Sequence, residues 1–157
     1  MSKLLKLSFV LFSSVVLVAA ENPWIGTWKL DPAKSKLATY PKSPKEMTVV
    51  SRDLGNQTSE VTLKGTTVDG SPISRKYTVG ANGGPTTWLE GGPPAGYAEN
   101  TTVINDRVRD STFTHDGKKL SDTHFVLSED GNSLTVTTKG VNIDGKPLDV
   151  MAFFERQ

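Results

Sequence analysis

After residue 20 the chain alternates short runs rich in Thr, Val and aromatic residues with clusters of Gly, Pro and Asp. No ten-residue window carries a 3.6-residue apolar period, so helices are not expected. The runs fall at 25–30, 46–52, 59–65, 73–79, 86–90, 98–105, 107–114, 119–128, 133–140 and 148–156, and each reads as a strand. Between them stand Asp69-Gly70, Asp116-Gly117, Asp130-Gly131 and Asp144-Gly145. An Asp-Gly pair suits the two-residue hairpin turn with positive φ at both central positions. The pattern predicts an all-β meander. Ten short strands must hide their edges, which a closed or nearly closed antiparallel up-and-down β-barrel of about 8–10 strands does. A two-sheet β-sandwich is the alternative.

Two stretches interrupt the alternation. Residues 31–44 hold Pro32, Pro41 and Pro44; Asp31 can cap one helical turn, and the later prolines forbid a long helix. Residues 80–97 hold six glycines and three prolines around Trp88, and read as a flexible surface loop near a barrel mouth. There is also an echo: residues 61–73 recur as 136–148 with seven of thirteen positions identical. Each copy is a strand, a glycine exit, an Asp-Gly turn and a strand opened by proline, which suggests one hairpin design used twice.

The first twenty residues differ from the rest. Lys3 and Lys6 precede an apolar run that closes on Val18-Ala19-Ala20. This predicts a signal peptide over 1–20, cleaved before Glu21, with residues 21–157 forming a single barrel domain. The run is shorter than the ~20 apolar residues a membrane span requires, so no span is expected after cleavage. Losing two lysines and no acid takes the net charge from +1 to −1, which gives nucleic acid no electrostatic footprint. There is no cysteine, so disulfides and thiolate chemistry are excluded. An exported domain without disulfides suits a bacterial envelope, in the periplasm or outside the cell.

The ends of the domain carry a family resemblance. Trp24-Ile25-Gly26-Thr27-Trp28-Lys29-Leu30 near the start and Phe153-Phe154-Glu155-Arg156 at the end resemble the calycin superfamily of lipocalins and fatty-acid-binding proteins. A group of small exported bacterial proteins of unassigned function shares this opening and closing. The resemblance implies a barrel with Gly26, Trp28 and Arg156 as its structural plug. Physically, a glycine two before the tryptophan allows close backbone approach, and the last strand sets Arg156 beside the first. The chain departs from the fatty-acid-binding branch where an Arg-x-Tyr on the last strand holds a carboxylate. Ala152 and Phe154 stand there instead, and a proline-broken segment replaces the two lid helices.

Candidate binding residues follow from strand alternation. Arg75 and Tyr77 share a face with Ile73 and Val79, and so face a cavity if that face turns inward. On the 119–128 strand, Asp122 and His124 alternate with Leu120 and Val126, while Phe125 and Leu127 occupy the other face. If Leu120 and Val126 face in, Asp122 and His124 form an inward acid–imidazole pair able to orient a ligand or act as a base. Counting from the Asp-Gly-Lys turn, the resemblance also brings His124 to an inward head-group position. Trp88 and Phe154 complete the candidate ligand contacts. His115 reads as a solvated turn residue. Two histidines nine residues apart lack metal-ligand spacing, and neither a phosphate loop nor a nucleophile elbow is present, so no metal, cofactor or catalytic set is expected. The expected function is an exported binding module for a small apolar or amphipathic ligand. The alternatives are an envelope structural or interaction protein with a filled barrel, and an isomerase- or hydratase-type enzyme using Asp122 and His124.

Overall fold

The computed structural model describes residues 22–157, so the leader expected over 1–20 lies outside the described residues. Eleven strands follow in order: β1 (Gly26–Leu30), β2 (Pro44–Gly55), β3 (Thr58–Thr67), β4 (Pro72–Gly80), β5 (Gly83–Pro85), β6 (Thr87–Glu90), β7 (Tyr97–Asn105), β8 (Val108–His115), β9 (Lys118–Leu127), β10 (Ser133–Val141) and β11 (Pro147–Arg156). The one helical element among the described residues is a 3-10 turn, Pro32–Lys34, capped by the Asp31 side chain accepting from the Ala33 and Lys34 amides. Among the described residues, no helix is long and apolar enough to cross a membrane.

All strands join one antiparallel sheet in the order β5-β7-β8-β9-β10-β11-β1-β2-β3-β4-β6. β1 pairs with β11 through Trp28↔Arg156 and Leu30↔Phe154, so first and last strands are neighbours as in a barrel. Closure on the far side uses one segment split between two partners. β5 pairs with β7 through Gly83↔Thr102 and Pro85↔Asn100, whereas β6 pairs with β4 through Tyr77↔Trp88 and Thr78↔Thr87. The switch falls at Thr86, whose amide donates to the Glu99 carbonyl. The glycine- and proline-rich stretch is therefore largely a closing strand, and its irregular part shrinks to residues 91–96.

The hairpin turns divide into two kinds. Asp116 and Gly117 both have positive φ, as expected of a two-residue turn. At Asp69-Gly70, Asp130-Gly131 and Asp144-Gly145 only the glycine does, and its amide closes a turn begun three residues earlier, at Thr67, Ser128 and Asn142. These are the longer hairpins in which a glycine follows an ordinary turn. Asn56-Gln57 is another two-residue turn with positive φ at both central positions, 49° and 58°, a site the sequence marks with no glycine at the turn centre.

One barrel end is packed shut. Trp28, Leu30, Leu127, Leu134 and Phe154 are buried together, with Trp24, Phe125 and Val136 against them. The Arg156 guanidinium lies 4.1 Å from the Trp28 ring centre and donates to the Ile25, Pro23 and Gly131 carbonyls. At Gly26, with φ of 148°, a Cβ would collide with Arg156, so close approach there requires glycine.

Candidate functional site

The inward face of the sheet encloses a cavity of about 320 Å³. Its walls are aliphatic and aromatic over most of their extent: Val49, Val61, Leu63, Val79, Phe125 and Val136 are representative. A second, wider space of about 820 Å³ opens at the opposite end from the Trp28 plug, between Tyr40–Pro44, the 91–94 segment and the β10–β11 turn. The two spaces share Ser43, Pro44, Met47, Leu63 and Leu148, so the inner cavity continues into the mouth. Residues 31–44 connect β1 to β2 across this end, with Leu37 and Ala38 on the inner cavity and Tyr40 at the rim.

Strand parity decides which predicted residues reach this space. On β4, Tyr77 and Val79 line the inner cavity, and Ile73 and Arg75 line the mouth. Trp88 also lines the mouth. It sits on β6 rather than in a loop, paired opposite Tyr77, with ring centres 5.0 Å apart. Phe154 lies on the inner cavity within the plug, 2% exposed.

Asp122 and His124 take the other parity. On β9 it is Ser121, Phe125 and Leu127 that turn inward, because Phe125 and Leu127 bury more apolar surface in the plug than Leu120 and Val126 could. His124 Nδ1 sits 2.5 Å from an Asp110 carboxylate oxygen on β8, and both side chains are about half exposed. Asp122 meets Lys119 Nζ at 2.7 Å and accepts from Thr112; the Lys119 bond chiefly holds its pKa below the ordinary carboxylate value. The inward acid–imidazole pair is thus absent, and with it the basis of the isomerase or hydratase reading.

The charged groups on the inner cavity come instead from β7 and β8. Glu99, Thr101, Arg109 and Ser111 all line the inner cavity. Thr101 and Ser111 share a buried hydroxyl contact of 2.7 Å. Burial raises the Glu99 pKa, opposed by a hydrogen bond from Ser111 and by the charge of Arg75. Burial likewise raises the Tyr77 phenol, with Glu99 adding and Arg109 and Arg75 opposing. Tyr77 therefore stands within electrostatic reach of both arginines and the carboxyl group.

Arg109 is the least compensated of these. It is 9% exposed, and its guanidinium lies 4.4 Å from the Trp24 ring centre. Trp24 is itself held by its indole N–H donating to the Asp106 carbonyl. Arg109 Nε is buried with no hydrogen-bond partner, and among the described residues no ion pair engages the side chain. Burial presses its pKa downward, with Tyr77 opposing; a guanidinium nevertheless stays protonated in proteins. Trp88 Nε1 is a second buried donor without a partner. Near the mouth, Tyr97 stacks on His115 at 4.1 Å and on Phe113 at 5.6 Å, so His115 is part of an aromatic ladder.

Sequence reasoning missed Glu99 and Arg109. Glu99 shares its strand face with Tyr97 and Thr101, a parity that could have been followed. Along β8, Arg109 and Ser111 alternate with Val108 and Asp110, so neither face stands out as apolar there and alternation is mute.

No family model matches the chain, and no curated protein matches it. Among solved structures it is similar to EF1p2_mFAP2b bound to DFHBI, at 14% identity over 86% of this chain and 94% of that one, with a TM-score of 0.48. It is also similar to a redesigned β-barrel, mFAP1, bound to DFHBI, at 13% identity over 85% and 95%, with a TM-score of 0.41.

Proposed function

We propose that this chain is an exported binding module that holds a small apolar or amphipathic molecule in its barrel. The observation that carries the reading is the 320 Å³ inner cavity, lined mainly by aliphatic and aromatic side chains and continuous with an open mouth. Ligand sites are concave, mostly apolar, and of about 300–1,000 Å³. A barrel filled by its own side chains, as the structural-protein reading requires, does not fit that space. Kinship with the calycins belongs to the same proposal, supported by Gly26, Trp28 and Arg156 meeting at the closed end. The leader, cleaved before Glu21, delivers the module to the periplasm or the cell exterior.

The test is a titration of the domain with N-phenyl-naphthylamine, an uncharged fluorescent probe. Saturable binding at micromolar probe is expected, with a change in tryptophan emission that shrinks in Trp88→Ala. Val136→Trp, which fills the lumen from β10, should abolish it. No binding by the wild-type domain, or binding unaffected by Val136→Trp, overturns the reading. N-terminal sequencing of protein recovered from a bacterial host tests export: a first residue of Glu21 is expected, and retention of residues 1–20 overturns it.

A further inference from the structure

Among the described residues, two buried side-chain polar atoms are left unpaired, Arg109 Nε and Trp88 Nε1, and both residues line the lumen or its mouth. Both are donors, one deep beside the Trp24 cover and one toward the mouth. Buried donors are nearly always satisfied, and an unpaired buried charge is far more costly than an unpaired neutral group. Arg109 has aromatic surface against its guanidinium, an Nε without a hydrogen-bond partner, no carboxylate within ion-pair distance among the described residues, and a place on the cavity wall. The neighbouring acid does not answer it: Glu99 accepts from Ser111 and feels Arg75.

We infer that Arg109 is the anchor for the acidic group of an organic anion, bound head-down with its apolar body along the lumen. The inference rests on the proposal that the lumen binds a ligand at all, and adds the sign of that ligand and the residue that reads it. The chemistry follows from the donor set. A guanidinium offers planar N–H donors and a fixed charge, which suit carboxylate, sulfonate or phosphate oxygens. Once an anion is seated, the cost of burying Arg109 unpaired is relieved, so the bound state gains more than a surface contact would supply. The apolar walls above Arg109 set the remainder of the ligand: an alkyl or aromatic body, with an acceptor favoured where it passes Trp88. This anchor lies on β8, away from the last-strand positions of Ala152 and Phe154.

A matched pair of probes tests this. Anilinonaphthalene sulfonate and N-phenyl-naphthylamine share one aromatic framework and differ in the sulfonate. Calorimetric titration of the wild-type domain should show the sulfonate binding roughly tenfold or more tightly, the scale of a hydrogen bond to a charged group. Arg109→Met keeps the bulk and removes the charge; it should erase that preference while leaving the neutral probe within about twofold. Arg109→Lys, which keeps charge without the planar Nε donor, should retain part of the preference, and it serves if the methionine variant does not fold. Equal affinities in the wild type, as when water alone satisfies Arg109, overturn the inference and leave the binding module standing. Loss of both probes equally in Arg109→Met also overturns it, because Arg109 would then only shape the cavity. Binding of neither probe to the wild type overturns both proposals.

Discussion

The closed end of the barrel contains the same pairing twice: an arginine against a tryptophan ring, Arg156 on Trp28 at 4.1 Å and Arg109 on Trp24 at 4.4 Å. What differs is the hydrogen-bond account. Arg156 donates to three backbone carbonyls, from Pro23, Ile25 and Gly131, and so ties the segment before β1 to the β9–β10 turn. Arg109 has a buried Nε that donates to nothing among the described residues, and it lines the inner cavity. The stack is worth about 0.5–2 kcal/mol in either place, so it does not separate the two. The unmet donors do. A satisfied arginine holds a fold together, whereas an unsatisfied one stores a cost that a ligand can relieve.

The largest expected effect falls on the ring beneath Arg156. Trp28 is 2% exposed and carries Leu30, Leu134 and Phe154 around it. Trp28→Ala should lower stability by about 3–5 kcal/mol, the range for truncating a buried large aromatic. Urea unfolding checks it, and a loss below about 1 kcal/mol would mean that the plug does not hold the closed end.

Next comes the sign of the two arginine substitutions. Arg156→Met strands three carbonyls and should cost about 2–3 kcal/mol, given ~1–3 kcal/mol for each buried group left unsatisfied and partial rescue by solvent. Arg109→Met strands nothing, because nothing accepts from its Nε. Replacing a buried charge by an apolar chain of similar volume is neutral or stabilising by about 1–4 kcal/mol. The comparison holds if one variant melts below the wild type and the other at or above it. Two losses of equal size would show that both arginines are structural.

The comparison also marks how far the sequence could be read. All ten strand segments were legible, because β-branched runs and turn residues punctuate them locally. Gly26, Trp28 and Arg156 stand out by type and position as well, and the fold brings the Arg156 guanidinium to 4.1 Å from the Trp28 ring centre. The eleventh strand, Gly83–Pro85, was hidden by its own composition: a strand of two glycines and a proline has no side-chain pattern, and its pairing with Thr101 and Thr102 is a tertiary fact. The parity of β9 was ambiguous because Leu120 and Val126 oppose Phe125 and Leu127, and only the shape of the plug chooses between them. Arg109 and Glu99 escaped for the converse reason. A charged residue on the inner face breaks the apolar alternation that would have revealed it, so the sites best suited to ligand recognition are the ones alternation hides.

A smaller effect is expected at Glu99, the lumen's own acid. Burial raises its pKa above the ordinary value of 4.5, so the folded state holds this proton more tightly than the unfolded chain does. Its contribution to stability is complete below the ordinary value and is lost as pH rises through the raised one. Glu99→Gln keeps a neutral side chain at every pH and should flatten this slope. Urea midpoints measured from acid to neutral pH should therefore show the variant gaining on the wild type as pH climbs. Parallel profiles would place Glu99 in a solvated setting unlike that of Arg109.

The smallest effect belongs to the outer wall, where an imidazole and a carboxylate answer each other. His124 and Asp110 face each other at 2.5 Å across β8 and β9, with side chains 53% and 49% exposed. Their geometry is closer than anything Arg109 makes, yet both have water for an alternative partner. Exposed ion pairs contribute about 0–1 kcal/mol, since solvent replaces what a mutation removes. Asp122 stands in the same position, its carboxylate shared between Lys119 and Thr112 on the outside of the sheet. His124→Ala and Asp122→Asn should each shift stability by less than about 1 kcal/mol and leave probe affinity unchanged. A change in affinity in His124→Ala would put the imidazole in contact with the ligand. That result would reverse the parity of β9, move Phe125 and Leu127 out of the plug, and remove the distinction between an inner wall that lacks partners and an outer wall that has them.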